Sequence, residues 1–237
     1  MRESAAGRVV IVAARNEAER IRATLDALAE ALPGARLLVA DDASSDDTPL
    51  IAMRRGAWVV GRGRPHGKGA NVTAAAQALG EFDDEATVLL CDADLGESAG
   101  RLVALVEAVE ADDCELVLAA FADRPGGGFG VTLGYARRLV ERVCGARVAA
   151  PLSGQRAMRL RILRSLLPFA DGWGIETGMT IDAIRAGYRV EEIELPLMHR
   201  ATGRTPAGFL HRARQMRDIR RAVRSRSGTT VGLGPPG

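Results

Sequence analysis

Apolar residues in the first half of the chain fall into two kinds of spacing. Short apolar runs read as buried strands over Arg8–Ala13, Arg36–Ala40, Ala57–Val60, Ala86–Cys91 and Glu115–Ala119. Helical spacing fills the gaps between them. Glu17 to Leu32 carries Ile21, Leu25, Leu28 and Leu32 on one face and stops at Pro33-Gly34. Thr48 to Arg55 starts with Thr48 as its expected N-cap and Pro49 at its first position. Lys68–Leu79 and Gly100–Ala111 complete the set. Strand–helix alternation of this kind predicts an α/β fold, a mostly parallel central sheet with helices on both faces. Ligands of such sheets sit at the carboxyl edge of the strands, so the residues that follow each strand are where chemistry is expected.

The second half is less regular. Asp123 to Gly134 is glycine-rich and reads as a mobile loop. Helical patterns follow at Tyr135–Cys144 and about Glu176–Ala186, a strand at Tyr188–Leu195, and a last helix from about Pro206 to Arg226. One domain is expected over 1–226, with a disordered Gly/Thr/Pro-rich tail at 227–237.

Composition narrows the class. With 237 residues and 47% hydrophobic, the chain can bury a sizeable core without staples. Lys and Arg total 32 against 30 Asp and Glu, which argues against a protein that coats nucleic acid. Aromatics at 4% disfavour a single-strand stacking platform. Cys91, Cys114 and Cys144 are far apart and form no CxxC pair, so neither a zinc site nor a disulfide framework is expected, and the cytoplasm is the natural setting. The longest apolar run, Val9 to Ala14, is far short of a membrane span, and Arg8 interrupts any signal-peptide pattern.

The segments after the strands carry the chemistry. Ala14-Arg15-Asn16 after the first strand is no dinucleotide fingerprint, and Gly67-Lys68 lacks the flanking residues of a phosphate-binding P-loop. Asp41 to Thr48 follows the second strand; its carboxylates suit ribose hydroxyls or a base N–H, or simply an acidic turn that caps the next helix. Arg62 to Asn71 sets cations among small residues before a helix, which suits a diphosphate or a solvated basic loop. Asp92-Ala93-Asp94 ends the fourth strand. Its paired carboxylates suit Mg²⁺ or Mn²⁺, hard ions that take oxygen ligands, and an ordinary acidic turn is the plainer alternative.

Taken in order, these segments resemble the GT-A fold of nucleotide-sugar glycosyltransferases, particularly family 2. The matching segments are Ala13-Ala14-Arg15-Asn16-Glu17 (with Ala13 where the family has proline), Asp41 to Thr48, Gly67-Lys68-Gly69 and Asp92-Ala93-Asp94. Further on, Pro151 to Ala157, Gly172 to Gly178 and His199-Arg200 are similar to segments of the glucosyl-3-phosphoglycerate and mannosylglycerate-type synthases. The same family holds polyprenyl-phosphate sugar transferases.

The resemblance implies a metal-dependent glycosyltransferase that moves a hexose from a UDP- or GDP-sugar to a phosphorylated acceptor, such as 3-phosphoglycerate or polyprenyl phosphate. About 1–98 would be the nucleotide-sugar half and 99–226 the acceptor half. Ala14, Asn16, Glu17, Asp41, Asp42, Lys68, Asp92 and Ala93 would bind the donor, and Asp92, Asp94 and His199 the metal, Mg²⁺ or Mn²⁺. Gly154, Arg200 and Arg204 would meet the acceptor, with His211 nearby in sequence; Asp94 and Glu176 would be catalytic. Glu176 would be a general base in an inverting enzyme or a ligand of donor-sugar hydroxyls in a retaining one; a first-turn glutamate that favours the helix dipole is the bland alternative. The Gly126–Gly130 stretch would close over the acceptor.

The last helix sets seven arginines, from Arg212 to Arg226, against a stripe that includes Phe209, Leu210, Met216, Ile219 and Val223. The plainest arrangement packs the stripe and leaves the arginines in water; contact with an anionic membrane surface is the alternative. A homodimer is left open. Two other classes compete: a sugar-phosphate nucleotidyltransferase, disfavoured because no glycine-rich loop follows the first strand, and a non-catalytic nucleotide-sugar-binding protein.

Overall fold

The computed structural model describes residues 7–111, 114–122, 129–198 and 206–227. Seven strands form one sheet: β1 (Arg8–Ala14), β2 (Arg36–Asp41), β3 (Trp58–Gly61), β4 (Thr87–Asp92), β5 (Leu116–Phe121), β6 (Arg156–Arg159) and β7 (Val190–Leu195), in the order β3-β2-β1-β4-β6-β5-β7. The helices are α1 (Ile21–Ala31), α2 (Thr48–Arg54), α3 (Lys68–Gln77), α4 (Val103–Glu110), α5 (Phe129–Cys144), α6 (Leu160–Ser165), α7 (Ile175–Arg185) and α8 (Pro206–Ser227), with 3-10 turns at Gly96–Leu102 and Gly172–Gly174.

The alternation of strand side chains builds two cores. Val10 and Val12 of β1 join the layer of α1 and α4, through Ile21, Leu25, Leu28, Leu105 and Val109. Val9 and Ile11 join the opposite layer with α3, α5, α7 and α8, through Val72, Val140, Met179 and Ile219. Burial on both faces explains why β1 reads as an unbroken apolar run.

Three expectations are corrected. β6 and α6 escape the sequence pattern, and β6 runs antiparallel to both β4 and β5 in a sheet otherwise parallel. β6 is only Arg-Ala-Met-Arg, too short and too charged to stand out, yet Arg156 is 1% exposed at the centre of the sheet. α5 starts at Phe129, so residues 129–134 of the expected loop are helical, and residues 123–128 are not described. α2 is preceded by Asp47, with Thr48 as its first residue rather than its cap.

On α8 the arrangement matches expectation: Ile219, Ala222 and Val223 are buried, while Arg214, Arg217, Arg220, Arg221 and Arg224 are exposed. Arg226 folds back onto Asp182 of α7, at 2.7 Å. Among the described residues, no helix is long and apolar enough to cross a membrane.

Candidate active site

The carboxyl ends of β1, β2 and β4 lie side by side, with Ala14 in register with Asp41 and Ala13 with Asp92. The chain builds outward from β1 to β2 and β3 on one side and starts again at β4 on the other. Strand order therefore reverses at β1 and β4, where a crevice for ligands opens.

The loops that follow β1 and β2 are zipped together. Asn16 N–H donates to Ser44 Oγ (2.9 Å), and Ser45 N–H donates back to Asn16 Oδ1 (2.8 Å). Glu17 N–H donates to Thr48 Oγ1 (2.8 Å), which is the work of the Thr48 hydroxyl in place of capping. Asn16 and Ala43 both hold φ of 54°, a left-handed conformation that costs alanine energy and persists because this network imposes it. Asp41 accepts from Ser44 N–H (3.1 Å) and Ser44 Oγ (2.5 Å).

Asp42 holds the basic turn. Its carboxylate accepts from His66 N–H (2.7 Å), Gly67 N–H (3.1 Å) and the side-chain amide of Asn71, and Arg15 approaches to 3.4 Å. Asp42 is 6% exposed, as is Asp41, and its bonds set the shape of Gly67-Lys68-Gly69.

That turn delivers Lys68 to the centre of the site. Its Nζ lies 2.5 Å from Asp92 Oδ1 and 2.7 Å from Glu176 Oε1. Burial works against the ammonium, but the two carboxylates outweigh it and hold the Lys68 pKa above the usual lysine range. Glu176 opens α7 and is 6% exposed. One lysine thus joins the end of β4 to the first turn of α7.

Asp92 is also approached from the other side. Gln155 Nε2 donates to its Oδ2 (3.0 Å), and a Cβ on Gly154 would lie only 2.5 Å from the same oxygen. Bare backbone at Gly154 therefore leaves the carboxylate its place. The turn after Asp92 is held from α1: the Thr24 hydroxyl donates to Ala93 O (2.8 Å) and accepts from Gly96 N–H (2.9 Å). Asp94, half-buried, lies in this turn.

Asp92 and Asp94 supply hard oxygen donors, and a lysine ammonium already sits on one of them. This donor set fits a hard divalent cation. Among the described residues no cluster of three or more His, Cys, Asp or Glu forms a metal cage. His199, the third expected ligand, lies outside the described residues, as do Arg200 and Arg204 and the side chain of His211. The chain just before His199 is placed: Met198 N–H donates to Ser98 Oγ (3.0 Å), and Arg101 donates to Pro196 O (2.6 Å), so 196–198 runs beside the helical turn that follows Asp94.

Three supporting residues escape sequence reasoning. Thr24 left only a weak signal, a polar residue within an apolar helix face. Asn71 stood in the basic stretch but reaches back to Asp42, and its Oδ1 is buried without a partner among the described residues. Arg156 donates to Ser153 O (2.7 Å), Thr180 Oγ1 (3.1 Å) and Pro151 O (3.3 Å). Burial pushes its guanidinium down to about 10, so it stays charged at neutral pH. Cys91, beside Asp92, is no nucleophile, since burial holds its thiol well above the ordinary range.

Comparison with known proteins agrees with this geometry. The chain is 31% identical over 201 residues to a glucosyl-3-phosphoglycerate synthase of Mycolicibacterium paratuberculosis, covering 73% of this chain; the chain spans 58% of that relative's length. It is 28% identical over 211 residues to an undecaprenyl-phosphate mannosyltransferase of Micrococcus luteus, covering 82% of this chain and 85% of the relative. Its fold is similar to the crystal structure of glucosyl-3-phosphoglycerate synthase from Mycobacterium tuberculosis in complex with Mn²⁺, UDP-glucose and phosphoglyceric acid. The TM-score is 0.76 at 27% identity, over 96% of this chain and 82% of that one. The same synthase in complex with Mg²⁺ and UDP also matches, with a TM-score of 0.76 and 28% identity over 96% of this chain and 82% of that one. The model of glycosyl transferase family 2 matches residues 9–172, and the chain, with its GT-A fold, belongs to that family.

Proposed function

We propose that the protein is a metal-dependent glycosyltransferase that moves a hexose from a nucleotide-diphosphate sugar to a phosphorylated acceptor. The observation that carries this reading is Lys68, which joins Asp92 at the donor edge to Glu176 at the acceptor side. Relatives whose names state transfer to 3-phosphoglycerate or undecaprenyl phosphate support the acceptor class.

Transfer passes through an oxocarbenium-like state while the diphosphate departs, so the site must meet growing negative charge. Ala14, Asn16, Glu17, Asp41 and Asp42 would bind the nucleoside side, and Asp42 also holds the basic turn. Lys68 exchanges its carboxylate partners for the diphosphate. Asp92, with the Ala93 backbone, meets the ribose–sugar edge. Asp92, Asp94 and His199 would hold Mg²⁺ or Mn²⁺, which when bound neutralises charge on the leaving diphosphate. The placement of 196–198 beside the turn after Asp94 supports His199 in that role. Gly154, Arg200 and Arg204 would bind the acceptor. Glu176 accepts hydrogen bonds from donor-sugar hydroxyls or, in an inverting reaction, takes the acceptor proton; the anomeric configuration of the product separates the two roles. The three free cysteines suit a cytoplasmic protein.

The test is a thermal-shift titration against UDP-, GDP- and ADP-sugars with and without Mn²⁺ or Mg²⁺. A metal-dependent rise with one nucleotide sugar is expected, followed by product from 3-phosphoglycerate or polyprenyl phosphate. A folded sample that responds to none of them overturns the donor site. Binding without transfer would favour a nucleotide-sugar-binding protein.

The exposed arginines of α8 favour a second reading of the acceptor, a polyprenyl phosphate met at an anionic bilayer. Flotation with phosphatidylglycerol vesicles but not phosphatidylcholine vesicles is the expected result; no difference between them removes this reading.

A further inference from the structure

The segment 149–155 crosses from α5 to β6 without strand or helix structure of its own. It nevertheless ends on Gly154 and Gln155, the two residues pressed against Asp92. Few bonds set its shape. Ser153 N–H closes a turn onto Ala150 O (2.9 Å), and Arg137 donates to Ala149 O (2.6 Å). Arg156 supports the segment from below through the carbonyls of Pro151 and Ser153. Its far end is tied to β5, where Ala119 N–H donates to Gln155 O (3.0 Å), and its start is held by Glu192. One carboxylate oxygen accepts the Ala149 N–H (2.7 Å) and the other the Ala150 N–H.

Glu192 comes from the far side of the sheet. It lies on β7, the edge strand, in register with Leu118 of β5. Its neighbours Ile193 and Leu195 point into the α1/α4 core, so period-2 alternation turns Glu192 to the opposite face, where the segment runs. A half-buried carboxylate on that face is costly unless its acceptors are filled. Two consecutive N–H groups fill them, and charge-assisted bonds of this kind are the strong ones.

We infer that Glu192 is a positioning residue for the acceptor: by clamping the Ala149 and Ala150 N–H groups it sets the height of the segment that carries Gly154 and Gln155 to Asp92. The inference rests on the transferase reading for its kinetic consequence. The geometry of the clamp stands apart from that reading.

The test uses the full chain with Glu192→Gln, Glu192→Ala and, as control, the exposed neighbour Glu194→Gln. Gln keeps the shape but can accept only one of the two N–H groups. Steady-state kinetics use UDP-glucose and 3-phosphoglycerate, or the nucleotide sugar and acceptor selected by the titration and acceptor assay above. The expected result for Glu192→Gln is an acceptor KM raised about tenfold, a donor KM within about twofold of wild type, and a near-normal control. Amide exchange at 149 and 150 speeds up by about tenfold or more in both Glu192 variants. Donor and acceptor KM that move together, or neither moving, overturn the positioning role. Amides that exchange alike in wild type and variants overturn the clamp itself. A wild type without turnover sinks the transferase reading, and exchange then decides the clamp alone.

Discussion

A Cβ placed on Gly69 would lie 1.9 Å from the carbonyl oxygen of Ala170. The first turn of α3 and the 170–172 loop are therefore in backbone contact, and the lysine beside Gly69 owes its position to that contact. Gly69→Ala must push the two backbones apart. A loss of about 2–4 kcal/mol in urea unfolding is expected, with weaker nucleotide-sugar binding. Gly100→Ala, whose nearest neighbour would be at 3.5 Å, is the control and should be far milder. Equal stability of the two variants would refute the close packing.

Lys68→Met leaves Asp92 and Glu176 without their shared cation. Removing one partner of such a buried cluster costs roughly 3 kcal/mol, measurable by urea unfolding at neutral pH without divalent ions. The wild-type lysine has a raised pKa, so its contribution is fully present below the unfolded value of 10.5 and is lost only as pH rises through the higher folded value. The deficit of the variant should shrink as pH falls into the carboxylate range, where protonation relieves the repulsion. A deficit that is flat from neutral pH into that range would show that the carboxylates do not repel.

Asp46 ties α2 to the first loop. Asp46 is exposed, and the slight desolvation that works against its ionisation is outweighed by hydrogen bonds from the Thr48 hydroxyl, the Thr48 N–H and the Ala18 N–H, which lower its pKa from the usual 3.8. A lowered carboxylate pKa stabilises the fold above the unfolded value and loses that contribution as pH falls through the folded one. Solvent screening discounts the contribution of this exposed carboxylate, so Asp46→Asn should cost only about 0.5 kcal/mol at pH 7 and progressively less below about pH 4. Unfolding curves of both proteins across that range provide the check.

Asp94→Ala and Glu176→Gln should fail in different ways. The first should lose turnover together with the Mn²⁺-dependent part of the thermal shift. The second should keep the donor-induced shift and lose rate by about a hundredfold. Full activity in Asp94→Ala would remove it from the metal site; full activity in Glu176→Gln would leave Glu176 only its place beside Lys68.

Much of this architecture is legible in local pattern. The apolar runs that became β1, β2, β4 and β5 are buried on both faces, and burial of that kind leaves an unmistakable mark on composition. The candidate residues after those strands are legible too, because a parallel sheet collects its strand ends at one edge. Asp41, Asp92 and Lys68 lie at that edge, and the hold of Asp42 on the turn of His66 and Gly67 is a contact that no local pattern announces.

Local pattern was enough for the order of β1 to β5 with the helices between them, for the family, and for which side chains follow which strand; these depend on spacing of about 2 or 3.6 residues and on neighbours in the chain. The antiparallel insertion of β6, the burial of Arg156, the bridge of Lys68 between Asp92 and Glu176, and the reach of Glu192 to Ala149 and Ala150 became visible only in the packed fold. Those contacts join residues dozens of positions apart. They follow from how the packed layers bring backbones together, and an unpaired polar group becomes costly only once such packing has removed water from it.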